Sequence, residues 1–252
     1  MRGRAIPLSR PRRLIGDLLY FASSVPSAPV QRRMNLQALL DAKAILPDCP
    51  SWTAIFTKAY ATVADEFPDL RRAYVKLPVP QLYEYPKSIG SIAFEREYEG
   101  EKAILIGRIK DPARLSLENL YQRLKVFTSA PLEEMKDFRR ALRMCRWPRL
   151  LRRLVWWVLL NIGRRRASYF GTFAVRPASG AEALHPASPL TTLLTYGPVD
   201  PDGLVDVRVV YDQRVVDEAT VAGVLTRLEQ VLNGPIADEL RQVGVVKLRL
   251  VA

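Results

Sequence analysis

Histidine is nearly missing from this sequence, with His185 the single example in 252 residues. A lone imidazole excludes multi-histidine metal sites and any proton relay built from two histidines. Cysteine is almost as scarce, because Cys49 and Cys145 lie far apart with no His or Cys neighbour at ligand spacing. Neither a disulfide framework nor a zinc site follows from such a pair, so no metal is expected and a reducing cytoplasm fits. Long apolar runs are lacking as well. The best one, residues 154–160, falls well short of the roughly 18 to 20 residues that span a bilayer. Residues 14–22 follow a basic N-terminus in the manner of an export signal, but Asp17 interrupts the run and Pro26 and Pro29 follow it. The expectation is a cytoplasmic protein, soluble or held peripherally at a membrane.

What is present suits one core. At 48% hydrophobic, a chain of this length buries enough apolar surface for a single domain over residues 1–252. Residues 35–45 read as a helix. Residues 52–66 read as a longer one, with Trp52, Ile55, Phe56, Ala59, Tyr60 and Val63 at 3.6-residue spacing and Phe67-Pro68 as the stop. Residues 88–95 and 102–109 read as strands around the turn 98–101, and residues 115–127 return to helical period. Strands follow at 190–196 and 204–211, then a helix over 219–232, for which Asn233-Gly234-Pro235 reads as the C-terminal stop. Strands interleaved with helices point to an α/β or α+β sandwich.

The segment Val209-Val210-Tyr211-Asp212-Gln213-Arg214-Val215-Val216-Asp217-Glu218-Ala219 resembles the Asp-His-Arg-x-x-Asp-Gly signature of the acyltransferase core of 2-oxoacid dehydrogenase complexes. Upstream, Arg13-Leu14-Ile15 with Ser23 and Val25-Pro26 resembles that family's opening helix and its exit. Lys58-Ala59, Phe67-Pro68-Asp69-Leu70 and Ile89-Gly90-Ser91-Ile92-Ala93 fall in the family's order. The resemblance covers residues 10–130 and 168–232 and leaves 131–167 as an arginine-rich insertion without a counterpart. The chain is thereby similar to the chloramphenicol acetyltransferase and dihydrolipoyl acyltransferase superfamily. The implied fold is α/β, a two-layer sandwich of a mixed β-sheet with helices on one face. The resemblance also implies a homotrimer or an assembly of trimers; no lipoyl or subunit-binding domain is expected ahead of the core.

The implied activity is transfer of an acyl group from a coenzyme A or carrier-protein thioester to a hydroxyl, amine or thiol. Coenzyme A thioester is then a co-substrate, and no bound cofactor is expected. The departure lies at Gln213, where the family has the histidine that serves as general base. A carboxamide orients a substrate by hydrogen bonds but takes no proton near neutrality, so a catalytically inactive scaffold or ligand-binding member is the competing reading. Asp217 matches the family's structural aspartate, which pairs with an arginine. Glu218 replaces its glycine and would crowd the turn if positive φ were needed there. Thr172 is the nearest match to the family's oxyanion-stabilising hydroxyl, with Ala174 as the alternative register, and His185 is the remaining candidate base. Tyr211, Arg214 and Glu218 are the candidate substrate contacts beside Gln213.

Ten of the twelve net positive charges lie within residues 139–166, a stretch without Asp or Glu. Charge so localised, with no recognition signature, argues against nucleic acid as the partner. Arginines flank Leu150-Leu151 and the aromatic, apolar run 154–160, a pattern that suits peripheral contact with anionic lipid through Arg146 to Arg166. The same pattern suits an apolar face packed on the core or a neighbouring subunit beneath solvated arginines. It also suits a cradle for the phosphates of coenzyme A or an acyl carrier protein.

Overall fold

The computed structural model describes residues 3–46, 49–132, 134–178 and 186–243. Its organising element is α3, Trp52–Glu66, opened by the Ser51 side chain accepting from the N–H of Ala54 and buried over most of its length. The helix ends as foreseen, because Phe67 precedes a proline and takes extended geometry (φ −113°). Around α3 lie α2 (Gln37–Ala44), α4 (Leu117–Ser129) and α8 (Glu218–Val231). Together they cover one face of a six-stranded sheet.

The strands are β1 (Ser27–Asn35), β4 (Ile89–Tyr98), β5 (Glu101–Lys110), β6 (Phe173–Pro177), β7 (Thr192–Tyr196) and β8 (Leu204–Asp212), in the order β1-β8-β7-β6-β4-β5. β6 runs parallel to both β4 and β7, and the other pairings are antiparallel, so the sheet is mixed. A separate hairpin joins β2 (Arg72–Val75) to β3 (Gln81–Glu84). The period of two is plain in β8, where Val205, Val207, Val209 and Tyr211 enter the core. The intervening Arg208 instead donates to Gln31 of β1 from Nε, at 3.1 Å.

The hairpin foreseen around residues 98–101 is β4–β5. Glu99 and Gly100 both have positive φ at its tip, the geometry whose twist matches the flanking strands. Strand β1 had no clear signal in the sequence, since Pro29, Gln31, Arg32 and Arg33 make it polar and broken. It survives as the sheet's edge, where a proline removes no ladder bond.

Two features go beyond the sequence reading. Asn233-Gly234-Pro235 does not end the last helix. The backbone widens into a π turn over Leu232–Ile236 that accommodates the Pro235 ring, and residues 237–243 continue as helix. The second face of the sheet also carries helices. α1 (Arg10–Ala22) lies over β5, and the arginine-rich stretch folds into α5 (Lys136–Met144), α6 (Arg149–Asn161) and α7 (Gly163–Phe170), which cluster with α1. Trp156 of α6 stacks on Phe21 of α1 at 5.9 Å between ring centroids.

The arginines of this stretch are not uniformly solvated. Arg166 is buried and donates to the carbonyls of Tyr74 (2.6 Å) and Pro189 (2.7 Å). Burial pulls its guanidinium pKa below the ordinary arginine value.

Candidate functional site

The turn between β8 and α8 carries the residues singled out by the signature. Asp212 closes β8 with its side chain buried, and Arg214 grips it from two residues on, Nε to Oδ1 at 2.9 Å and Nη2 to Oδ2 at 2.7 Å. The Arg214 N–H also donates to Oδ1 at 3.0 Å, and its guanidinium lies 4.5 Å from the centre of the Tyr74 ring. Both oxygens of Asp212 are thus committed to holding the turn. Gln213 is pinned only through its backbone, donating to the carbonyl of Pro26 at 3.0 Å, and its side chain is exposed.

Asp217 is the N-cap of α8, accepting from Thr220 N–H at 2.7 Å, and those backbone donors hold its carboxyl below the usual carboxylate range. The arginine of this turn pairs with Asp212 rather than with Asp217. The crowding anticipated at Glu218 does not arise. Among the described residues, Glu99 and Asp111 are the only ones besides glycine with positive φ, and Glu218 begins the helix exposed, where an acid complements the dipole. Tyr211 packs into the core with its hydroxyl pKa raised by burial.

Thr172 stands just ahead of β6, and its hydroxyl is spoken for. Its Oγ1 accepts from the N–H of Ile89 at 2.9 Å and donates to the Ile89 carbonyl at 3.2 Å, which ties β6 to β4 at the start of their parallel pairing. The preceding Gly171 has φ 88°, and a Cβ there would meet the Ser91 side chain. His185 lies outside the described residues. The structure therefore gathers Gln213, Arg214, Asp217 and Glu218 into the turn that follows Tyr211 and Asp212, and places Thr172 at the same end of the sheet, ahead of the β6 residue Phe173 that is in register with Thr192 and, through it, with Tyr211.

A cavity of about 430 Å³ opens between the second face of the sheet and the helices over it. Ala93 of β4, Ile104 and Ile106 of β5 and Leu193 of β7 form its floor. Leu14 and Leu18 of α1, Met144 of α5 and Trp156 of α6 form its roof. Ala174, the alternative register for the oxyanion position, lines it, whereas Thr172 and Gln213 do not. Three arginines, Arg108, Arg140 and Arg176, interrupt the hydrocarbon walls, and among the described residues no Asp or Glu does.

Such a space takes an apolar chain that carries an anionic group. The sequence held partial signals for it, since Arg108 and Arg176 both stand inside largely apolar strands. Assembling them with α1 required the fold.

No protein-family model matches the sequence, and no curated protein does. Solved structures do. The dihydrolipoamide acetyltransferase (E2p) of Azotobacter vinelandii, whose catalytic mechanism has been examined through a serine, a histidine and an asparagine, aligns with a TM-score of 0.69. It is 15% identical and covers 94% of this chain and 93% of its own. A truncated catalytic core of the 2-oxoacid dehydrogenase multienzyme complex from Thermoplasma acidophilum aligns at 0.65, with 16% identity and coverage of 92% and 99%. A chloramphenicol acetyltransferase aligns at 0.53, with 11% identity and coverage of 90% and 96%. At these identities the likeness is one of architecture: the chain has the mixed α/β fold of the chloramphenicol acetyltransferases and the dihydrolipoamide acetyltransferase catalytic cores.

Proposed function

We propose that this chain binds an acyl thioester of coenzyme A or of a carrier protein in the cavity beneath α1, and does not transfer the acyl group. The observation that carries this reading is the cavity's lining. Its walls are hydrocarbon and its charges are three guanidinium groups; among the described residues no carboxylate or imidazole faces it. Apolar walls bind an acyl chain, and arginines bind the phosphates of the carrier. Proton abstraction from an acceptor needs a base with a pKa near working pH.

A histidine figures in the mechanism of the Azotobacter enzyme, and by sequence resemblance Gln213 stands at that place in this chain. The hydroxyl the resemblance suggested, that of Thr172, is satisfied by the backbone of Ile89. A fold that keeps a chain-sized cavity while a carboxamide stands in place of the histidine and the Thr172 hydroxyl is bonded to the backbone is suited to holding a ligand. Self-assembly belongs to the same proposal. The Thermoplasma core is part of a multienzyme complex, and an exposed turn at Gln213 suits a contact between neighbouring copies in a trimer or an assembly of trimers.

The test is calorimetric titration with acyl-coenzyme A of increasing chain length, alongside a thiol-release assay with hydroxyl, amine and thiol acceptors. Affinity should rise about fourfold per buried methylene until the cavity is full, with no thiol released beyond spontaneous hydrolysis. Ala174→Trp should weaken binding, and Gln213→His should leave it unchanged. Turnover by the wild-type protein that is lost in His185→Ala would overturn the reading in favour of acyl transfer. Light scattering tests the assembly, and a monomer mass would refute it.

A further inference from the structure

The outward face of α6 is apolar, although Trp156, Leu159 and Leu160 already give the helix an apolar inward side. A surface helix normally turns its apolar stripe inward and its charges to water. In α6 the inward side carries Trp156, Leu159 and Leu160 together with Arg152, which is buried against Asp17, and a second apolar stripe of Leu150 (84% exposed), Leu154 (57%), Leu151 and Trp157 faces outward. Trp147, in the turn before the helix, is exposed as well. These residues fall at the spacing that stacks side chains along one side of a helix. The helix is also locked in that orientation, because Trp156 packs on Phe21 and Phe170 and Leu160 joins the same cluster. The stripe has no freedom to roll inward.

We propose that this face lies flat on an anionic lipid surface, with Leu150, Leu154 and Trp157 among the acyl chains and the neighbouring arginines on the phosphates. Charge selects this occupant. Arg146 and Arg149 are exposed beside the stripe, Arg164 and Arg165 are exposed just beyond its end, and residues 139–166 contain no acid. A second copy presenting the same face would bring like charges together, whereas anionic headgroups complement them. A bare phosphate backbone would satisfy the arginines and leave the leucines in water. Thirteen residues make a helix about 20 Å long, too short to cross a hydrocarbon core of about 30 Å, and no helix among the described residues is long and apolar enough to span. Lying in the interfacial plane buries the stripe without that length.

The experiment is co-sedimentation of the full chain with vesicles of phosphatidylcholine, and of phosphatidylcholine mixed with phosphatidylglycerol. Binding should favour the anionic vesicles and weaken with added salt. The triple substitution Leu150→Ser, Leu154→Ser, Trp157→Ser should reduce it at least about tenfold while leaving the circular dichroism spectrum unchanged. Lipids brominated on their acyl chains should quench wild-type tryptophan fluorescence more than that of Trp157→Ser. Equal binding to both vesicle types, or undiminished binding by the triple variant, would overturn the proposal. So would a wild-type protein that ignores vesicles but falls to a smaller assembly when the three residues are changed, which would assign the face to a second copy. None of these outcomes depends on what occupies the cavity.

Discussion

The carboxylate of Asp17, on α1, accepts from Nε of Arg152 on α6, and Arg153 reaches its other oxygen at 3.3 Å. Asp17 and Arg152 are both buried, with side-chain exposures of 2% and 6%, and the carboxylate raises the Arg152 pKa above its ordinary value. The pair joins two of the three helices that roof the cavity. An acid that looks, in sequence, like an interruption of an apolar run is the anchor of the arginine-rich segment.

Removing one partner strands the other charge in the interior. Asp17→Ala should cost about 3 to 5 kcal/mol, read from urea denaturation, and should weaken ligand binding in the cavity because α6 loses its tether. Asp17→Ala combined with Arg152→Met should recover much of that loss. A double variant no better than the single one would show that the pair contributes little.

Thr172 is expected to matter for stability rather than chemistry. Thr172→Val leaves the Ile89 N–H and carbonyl without their side-chain partner, at a cost of about 1 to 3 kcal/mol. Thr172→Ser should restore most of it. Acyl-ligand affinity measured in both variants should stay near wild type, and a selective loss of binding would return Thr172 to the site.

The α8 cap gives a pH signature. Backbone donors at the helix start hold the Asp217 carboxyl below the ordinary range. Its contribution is therefore complete above the unfolded value and is lost as pH falls through the lower folded one. Asp217→Ala should lower the melting temperature at neutral pH, and the gap from wild type should close as pH drops below about 4. Asp217→Asn should behave like wild type at neutral pH and keep its advantage over alanine in acid.

The cysteines should differ in reactivity. Cys145 is buried and burial pushes its thiol pKa up, whereas Cys49 is partly exposed and its sulfur lies 3.0 Å from Nζ of Lys43. A maleimide reagent should label Cys49 at least about tenfold faster than Cys145, as mass spectrometry of the intact and digested protein would show. Equal rates would mean that α5 opens readily.

Much of the fold was legible because its signals are local. The periodicity of α3, the β4–β5 hairpin and the run from β8 into α8 are each carried by residues a few positions apart, and each lies near where the pattern put it. The Asn233-Gly234-Pro235 stop failed because a π turn let the helix continue, a choice made by the packing of Leu232 and Ile236 in the core. Strand β1 was hidden because an edge strand tolerates proline and polar residues that a central strand does not.

The site divides along the same line. That Gln213 is a carboxamide with no proton to exchange, and that the net positive charge is concentrated in one stretch, follow from the sequence, since side-chain chemistry and charge count need no coordinates. That Asp212 is consumed by Arg214, that Thr172 serves the backbone of Ile89, and that hydrocarbon from Leu14 to Leu193 encloses one cavity were decided by the tertiary structure. So was the outward turn of Leu150 and Leu154 on α6. Periodicity reports that a helix has two unlike faces, but which face meets water depends on a partner far along the chain, here Asp17, more than a hundred residues before Arg152.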